Sequence, residues 1–152
     1  MFSLITVLMC SAWGIYAKST LQRAVSIGVR RGVTLTASDM ANGRCLTETV
    51  KDIVQQNALG MLAGTGKDRI KVHYFEPPES SSTAAPVDVS AQASGNAPKN
   101  IMQVSVENYQ LLALVPRIFR GGSVDNSPLS LTVSSADIIE PSRSLACIGM
   151  AP

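Results

Sequence analysis

Charge is scarce in this sequence, and so are aromatic rings and histidine. Charged side chains make up 16% and aromatic ones 5% of the 152 residues, where a soluble globular domain typically carries about 25% charged residues. The shortfall has two local sources, an apolar N-terminus and a charge-poor Ser/Ala/Pro tract in the middle. Thirteen Lys and Arg stand against eleven Asp and Glu, a net charge of +2. Nucleic-acid binding needs a concentrated basic face, so this balance argues against a nucleic-acid partner.

The chemistry-bearing residue types are equally thin. His73 is the single histidine and lies between Val72 and Tyr74 in a strand-like run, where a solvent-facing residue is expected rather than a base or a ligand. Three cysteines are present without a Cys-x-x-Cys or a Cys/His cluster, which argues against zinc. The carboxylates are scattered without metal-ligand spacing. No serine sits in a Gly-x-Ser-x-Gly setting. Gly64, Thr65, Gly66 and Lys67 resemble a phosphate loop, but Asp68 follows the lysine and Met61 stands where the first glycine belongs. No catalytic, cofactor-binding or metal-binding residue is therefore expected, and no small-molecule substrate. The chain reads as a non-enzymatic protein.

What the sequence does contain begins at its start. Residues 1–17 carry no charge, and Lys18 is the first charged side chain. As a helix this segment reaches roughly 25 Å, slightly short of the ~30 Å hydrocarbon core of a bilayer. Leu4, Ile5, Val7 and Leu8 supply its apolar body. Trp13 and Tyr16 stand near its end, where interfacial aromatics belong. A membrane anchor over residues 1–17 is expected, with a further stretch upstream of Met1 completing its length and its N-terminal flank. The other reading of this length is a buried core helix.

Helical spacing continues past the anchor. Leu21, Val25, Gly28, Val29 and Gly32 fall on one stripe while Arg23 and Arg30 fall elsewhere, so residues 18–32 form an amphipathic extension. Gly28 and Gly32 weaken it, and an end near Arg31 or Gly32 is expected. Lys18, Arg23, Arg30 and Arg31 give the extension a juxtamembrane basic character.

Residues 33–152 form the remaining domain. Turn chemistry marks 37–45 as a loop. A second helix follows, with Thr47 as its N-cap and Val50, Ile53, Val54, Asn57 and Met61 as its apolar stripe. Three strands come next, around Ile70–Phe75, Ile101–Tyr109 and Leu129 toward Ile139, each read from period-two alternation. The tract 77–99 lacks aromatics and apolar periodicity and is expected to be a flexible loop. Residues 110–120 are an apolar excursion broken by Pro116, and 121–127 a turn-rich loop. The predicted fold is α+β: a long N-terminal anchor helix and a second helix packed on a three-stranded antiparallel sheet.

Cys10 lies within the apolar segment as a small apolar residue. Cys45 and Cys147 form either one disulfide or two buried thiols, and export of the domain decides between them. All flanking charges lie C-terminal to the anchor, which by the positive-inside rule alone keeps the domain in the cytoplasm. An upstream flank together with paired cysteines places it on the oxidising side instead, with Cys45 bonded to Cys147.

The order of features resembles a known family. An apolar helix runs into YAKSTLQRAVSIGVRRG, followed by a cysteine loop, a second helix and strands. This resembles the TadE/TadG-like proteins of tight-adherence (Tad) pilus systems over nearly the whole chain. Tyr16, Leu21, Gln22, Ala24, Arg30, Arg31 and Gly32 match the family's segment after the anchor. Ser134, Ala136, Asp137, Ile138, Ile139 and Glu140 resemble its last strand. The basic start of the family is missing here, as is the prepilin-peptidase site of its pilin-like members, so processing is not carried over. The resemblance implies a pilin-like fold and a minor pilin or assembly component working by protein contacts with other pilus or secretion-system proteins. It implies a bacterial inner-membrane location with a periplasmic domain, or an extracellular one within a pilus. An anchored periplasmic accessory module of a secretion complex is the alternative.

Overall fold

A computed structural model describes residues 2–36, 44–78, 85–111, 129–140 and 147–148. Residues 37–43 of the expected loop 37–45, residues 79–84 of the tract, residues 112–120 of the apolar excursion, the turn-rich loop 121–127 and most of the tail lie outside the described residues. Helix α1 spans Phe2–Thr34 without a break, so the segments expected as anchor and extension are one rod. It contains no proline to interrupt it, and Gly28 and Gly32 are carried within it rather than ending it. At 1.5 Å per residue the rod is roughly 50 Å long.

Helix α2 spans Leu46–Asn57. Its first residue precedes the expected cap: Cys45 occupies the cap position and gives no side-chain hydrogen bond. Thr47 is instead buried in the first turn, its hydroxyl 3.2 Å from the Tyr74 hydroxyl. The buried stripe is Leu46, Val50 and Val54, continued past the helix by Ala58 and Leu62. Ile53, Asn57 and Met61, expected in that stripe, are half-buried flanks. Gly60 and Gly64 both take positive φ values after the helix, of 82° and 61°, a conformation glycine adopts without steric cost. A short 3-10 helix, Gly64–Arg69, then leads into the sheet.

The sheet has four strands rather than three. β1 is Ile70–Glu76, β2 Val87–Asp88, β3 Ile101–Leu111 and β4 Leu129–Ile138, in the order β2-β1-β3-β4 with antiparallel pairing throughout. The added strand lies inside the tract expected to be loop. Two residues leave no alternation to detect, and β2 is held by the register Phe75↔Asp88 and by the Val89 N–H to Tyr74 carbonyl bond of 2.8 Å. Residues 85–99 are accordingly folded onto the body: Val89, Ser90 and Asn96 are buried, and Asn100 Nδ2 donates to the Gly95 carbonyl at 2.9 Å. Local turns and backbone bonds order this stretch where apolar periodicity does not.

One face of the sheet carries the core. Ile70, Val72 and Tyr74 stand opposite Val106, Val104 and Met102, and all six are buried. Leu21, Val25 and Val29 of α1 and Val50 and Val54 of α2 close over them in a single cluster. β3 slips by one residue against β4 between Val106 and Tyr109, a bulge with Asn108 at φ 53°. Arg69 donates to the Asn108 carbonyl there.

Candidate functional site

The change of surroundings along α1 is the most informative feature of the molecule. From Ala17 onward the helix supplies core, with Ala17, Leu21, Ala24 and Val25 fully buried. Before Ala17 the same rod buries almost nothing. Leu4, Ile5, Val7, Leu8, Met9, Trp13, Ile15 and Tyr16 are between 40% and 71% exposed. These residues point all round the helix, so no single stripe could cover them. Leaving eight such side chains in water forfeits on the order of 10–20 kcal/mol of burial free energy. The six anchor residues expected from sequence all lie on this free half, and Met9 and Ile15 join them.

A polar group on the free half is bonded to the helix itself. Ser11 Oγ donates to the Val7 carbonyl at 2.9 Å, so its hydroxyl is satisfied by the helix's own backbone. Cys10 is a free, half-buried thiol. Trp13 and Tyr16 lie with ring centroids 5.8 Å apart at the end of the apolar half, one turn before Lys18. Their apolar bodies and polar tips suit a boundary between hydrocarbon and water. Among the described residues α1 is the helix long and apolar enough to cross a membrane.

The second predicted site lies on α2. Cys45 and Cys147 are bonded, with Cα atoms 4.8 Å apart across 102 positions of sequence. The bond brings the tail to the start of α2. The Leu46 and Thr47 N–H groups donate to the Cys147 and Ile148 carbonyls at 2.8 and 3.0 Å. These carbonyls take the place of a side-chain cap and meet the positive end of the helix dipole. Ile148 is buried in the core cluster.

Two polar clusters contain residue types found in chemical sites. Asp88 accepts from Ser90 Oγ at 2.5 Å and Ser90 N–H at 2.9 Å, and its other oxygen lies 3.3 Å from His73 Nδ1. The Ser90 bonds, with a smaller contribution from His73, hold the Asp88 carboxyl below the usual carboxylate range. The residue types are those of a triad, but Asp88 stands between the other two. His73 therefore does not meet the serine hydroxyl, whose oxygen instead accepts the Tyr74 N–H at 2.9 Å. The cluster fastens β2 to β1. In the second cluster Lys67 pairs with Asp52, and with Glu48 at 3.2 Å, while Arg44 meets Asp52 at 2.6 Å. The Asp52 hydrogen bond raises the Lys67 ammonium above its ordinary pKa against the opposing effect of burial. These pairs tie the 3-10 helix to α2, so the lysine of the loop resembling a phosphate site is already engaged. Among the described residues no group of three His, Cys, Asp or Glu side chains could hold a metal ion.

No protein-family model, curated protein or solved structure matches the chain. The functional reading therefore stands on the geometry above.

Proposed function

We propose that this protein is a membrane-anchored assembly component of the TadE/TadG-like, minor-pilin kind. The apolar half of α1 lies in the bilayer, and the α+β body sits at its surface on the oxidising side. The observation that carries the reading is the switch at Ala17, where one unbroken helix passes from all-round apolar exposure to a packed core. An ordinary core helix would be covered along its length. The Cys45–Cys147 bond supports export, because such bonds persist in the periplasm and outside the cell and are rare in the cytosol. Lys18 marks the boundary, with Trp13 and Tyr16 on the hydrocarbon side of it. Function then resides in protein contacts made by the body and, within the membrane, by the anchor.

The test is deletion of the gene in its host, with surface fibres imaged by electron microscopy and adhesion measured. Complementation uses the wild type and an Ile5→Lys variant. Loss of fibres restored only by the wild type is the expected result. Normal fibres and normal adhesion in the deletion strain would remove the pilus role and leave the anchored accessory module.

A further inference from the structure

Part of the sheet runs further toward the apolar half of α1 than α2 does. Two contacts fix its level along the rod. A Cβ on Gly32 would lie 2.8 Å from Met102 Sδ, and Gln22 Nε2 donates to the Ser134 carbonyl at 3.0 Å. Met102 pairs with Asp137, so a step down α1 from Gly32 to Gln22 is a step down β4 from Asp137 to Ser134. β4 continues five residues past Ser134 to Leu129, roughly 17 Å. From Gln22 the rod reaches Lys18 in four residues and Trp13 in nine, roughly 6 and 14 Å. The paired ends of β3 and β4 therefore pass Lys18 and come level with Tyr16 and Trp13.

Burial along α1 agrees with this level. Val54 packs at Gly28 and Val50 at Gly32, so α2 runs antiparallel to α1 and its last residue, Asn57, ends near Val25. Ala17 lies eight residues beyond Val25, roughly 12 Å, and is still fully buried. The described elements that reach its level are the ends of β3 and β4, whose Tyr109 and Leu131 pack on the core cluster.

The chemistry of this end suits a boundary between water and hydrocarbon. Residues 108–111 and 129–136 contain no charged side chain. Tyr109 and Leu131 stand opposite each other and are half-buried, as is Leu111. Gln110 and Ser130 pair on the other face and are exposed. A tyrosine level with Trp13 and Tyr16 adds a third amphipathic ring to theirs. Behind this end stand one cation and one carboxylate, Arg69, which donates to the Asn108 carbonyl, and Glu107, which accepts from Ser105 Oγ. Apolar surface rather than charge of one sign is what it offers.

We propose that the β3–β4 end is a second membrane contact, seated in the headgroup layer of the bilayer that holds α1. Tyr109 and Leu111 meet lipid beside Trp13 and Tyr16, with Gln110 and Ser130 among the headgroups. This contact rests on the anchor reading of α1 and goes beyond it. A lone helix leaves the body free to lean and to turn about the rod. A second contact on one side of the rod fixes both, and holds the far end of the sheet, with Ile138, away from the membrane.

The test uses the full chain in phosphatidylcholine nanodiscs, with Cys10→Ala removing the free thiol and the Cys45–Cys147 bond intact. A nitroxide is attached at Leu8→Cys, Gln110→Cys, Ser130→Cys or Ile138→Cys. Its access to oxygen, which concentrates in lipid, is compared with its access to a water-soluble nickel chelate. Leu8 is expected to read as lipid and Ile138, 60% exposed at the far end, as water. Gln110 and Ser130 are expected to show an oxygen-to-nickel ratio between the two. Thermal melting verifies folding, and the two labelled strands report independently. Labels at Gln110 and Ser130 as wet as Ile138, with Leu8 in lipid, overturn the second contact and leave the anchor standing. A Leu8 label as wet as Ile138 overturns both. Labels at Gln110 and Ser130 shielded from both probes mark a protein cover, such as a strand added to the edge of β4, and overturn the lipid contact.

Discussion

Single glycines decide how closely α1 can lie on the rest of the body. In helix interiors glycine is unfavourable by about 1 kcal/mol relative to alanine, and by propensity Gly28 and Gly32 are weak points. Their surroundings give the reason for them. A Cβ on Gly28 would run into the Val54 side chain, and one on Gly32 would lie 2.8 Å from both Met102 Sδ and Val50 Cγ2. Gly14, on the free half, would meet nothing within 4 Å. The same substitution should therefore differ in effect along one helix. Gly28→Ala and Gly32→Ala are each expected to lower stability by about 1–3 kcal/mol through overpacking. Gly14→Ala should leave the body's stability unchanged. Urea unfolding in detergent, followed by the signal of the sheet, separates the three. Equal effects at Gly14 and Gly28 would mean the α1–α2 contact is looser than described here.

At the scale of elements, α2 is held from outside itself. With no side-chain cap at Cys45, its first N–H groups depend on the Cys147 and Ile148 carbonyls. Reduction of the disulfide, or Cys147→Ser, should cost about 2–4 kcal/mol. It should also speed amide exchange at Leu46 and Thr47 before it affects β3, and an unchanged thermal midpoint would show that the tail stays seated without the bond. Periodic elements were legible in sequence: Val72 and Val104 alternate with polar neighbours, and Leu21 and Val25 share a stripe, so α1, β1, β3 and β4 follow from pattern. β2 did not, because Val87 and Asp88 are too few to show a period, and their strand is held by pairing with Phe75 and Glu76 and by the Asp88 and Ser90 contacts to β1. The order of residues 85–99 was missed for a related reason. It comes from turns and from Val89 and Asn96 meeting the body, which composition does not record. Replacing 85–99 by a Gly/Ser linker is accordingly expected to lower the thermal midpoint sharply, where a flexible loop would tolerate it. The cysteine pair was left open between bond and thiols by spacing alone, since 102 positions of separation carry no geometric information.

On the scale of the whole molecule, α1 is one rod with two jobs, and substitutions in its two halves should separate them. The free half has only its apolar surface to act with. A lysine at Ile5 places a charge within that half, at a cost of up to roughly 2.5–3.5 kcal/mol on the insertion scale. The core half is different, because Val25 is fully buried within the cluster that joins α1 to α2 and the sheet. Val25→Ala removes methyl groups there and should lower the body's stability by about 1–3 kcal/mol. Ile5→Lys should therefore shift the protein from the membrane fraction toward the soluble fraction, with the body still folded and the Cys45–Cys147 bond intact. Val25→Ala should do the reverse, remaining in the membrane while its urea midpoint falls. The two measurements are membrane fractionation and denaturant unfolding, made on both variants. An Ile5→Lys protein that stays in the membrane fraction, or that is soluble yet fully active in the host, would show that the exposed apolar half is not the anchor. Its cover would then have to be another protein, since side chains this apolar on every side of a helix do not remain in water.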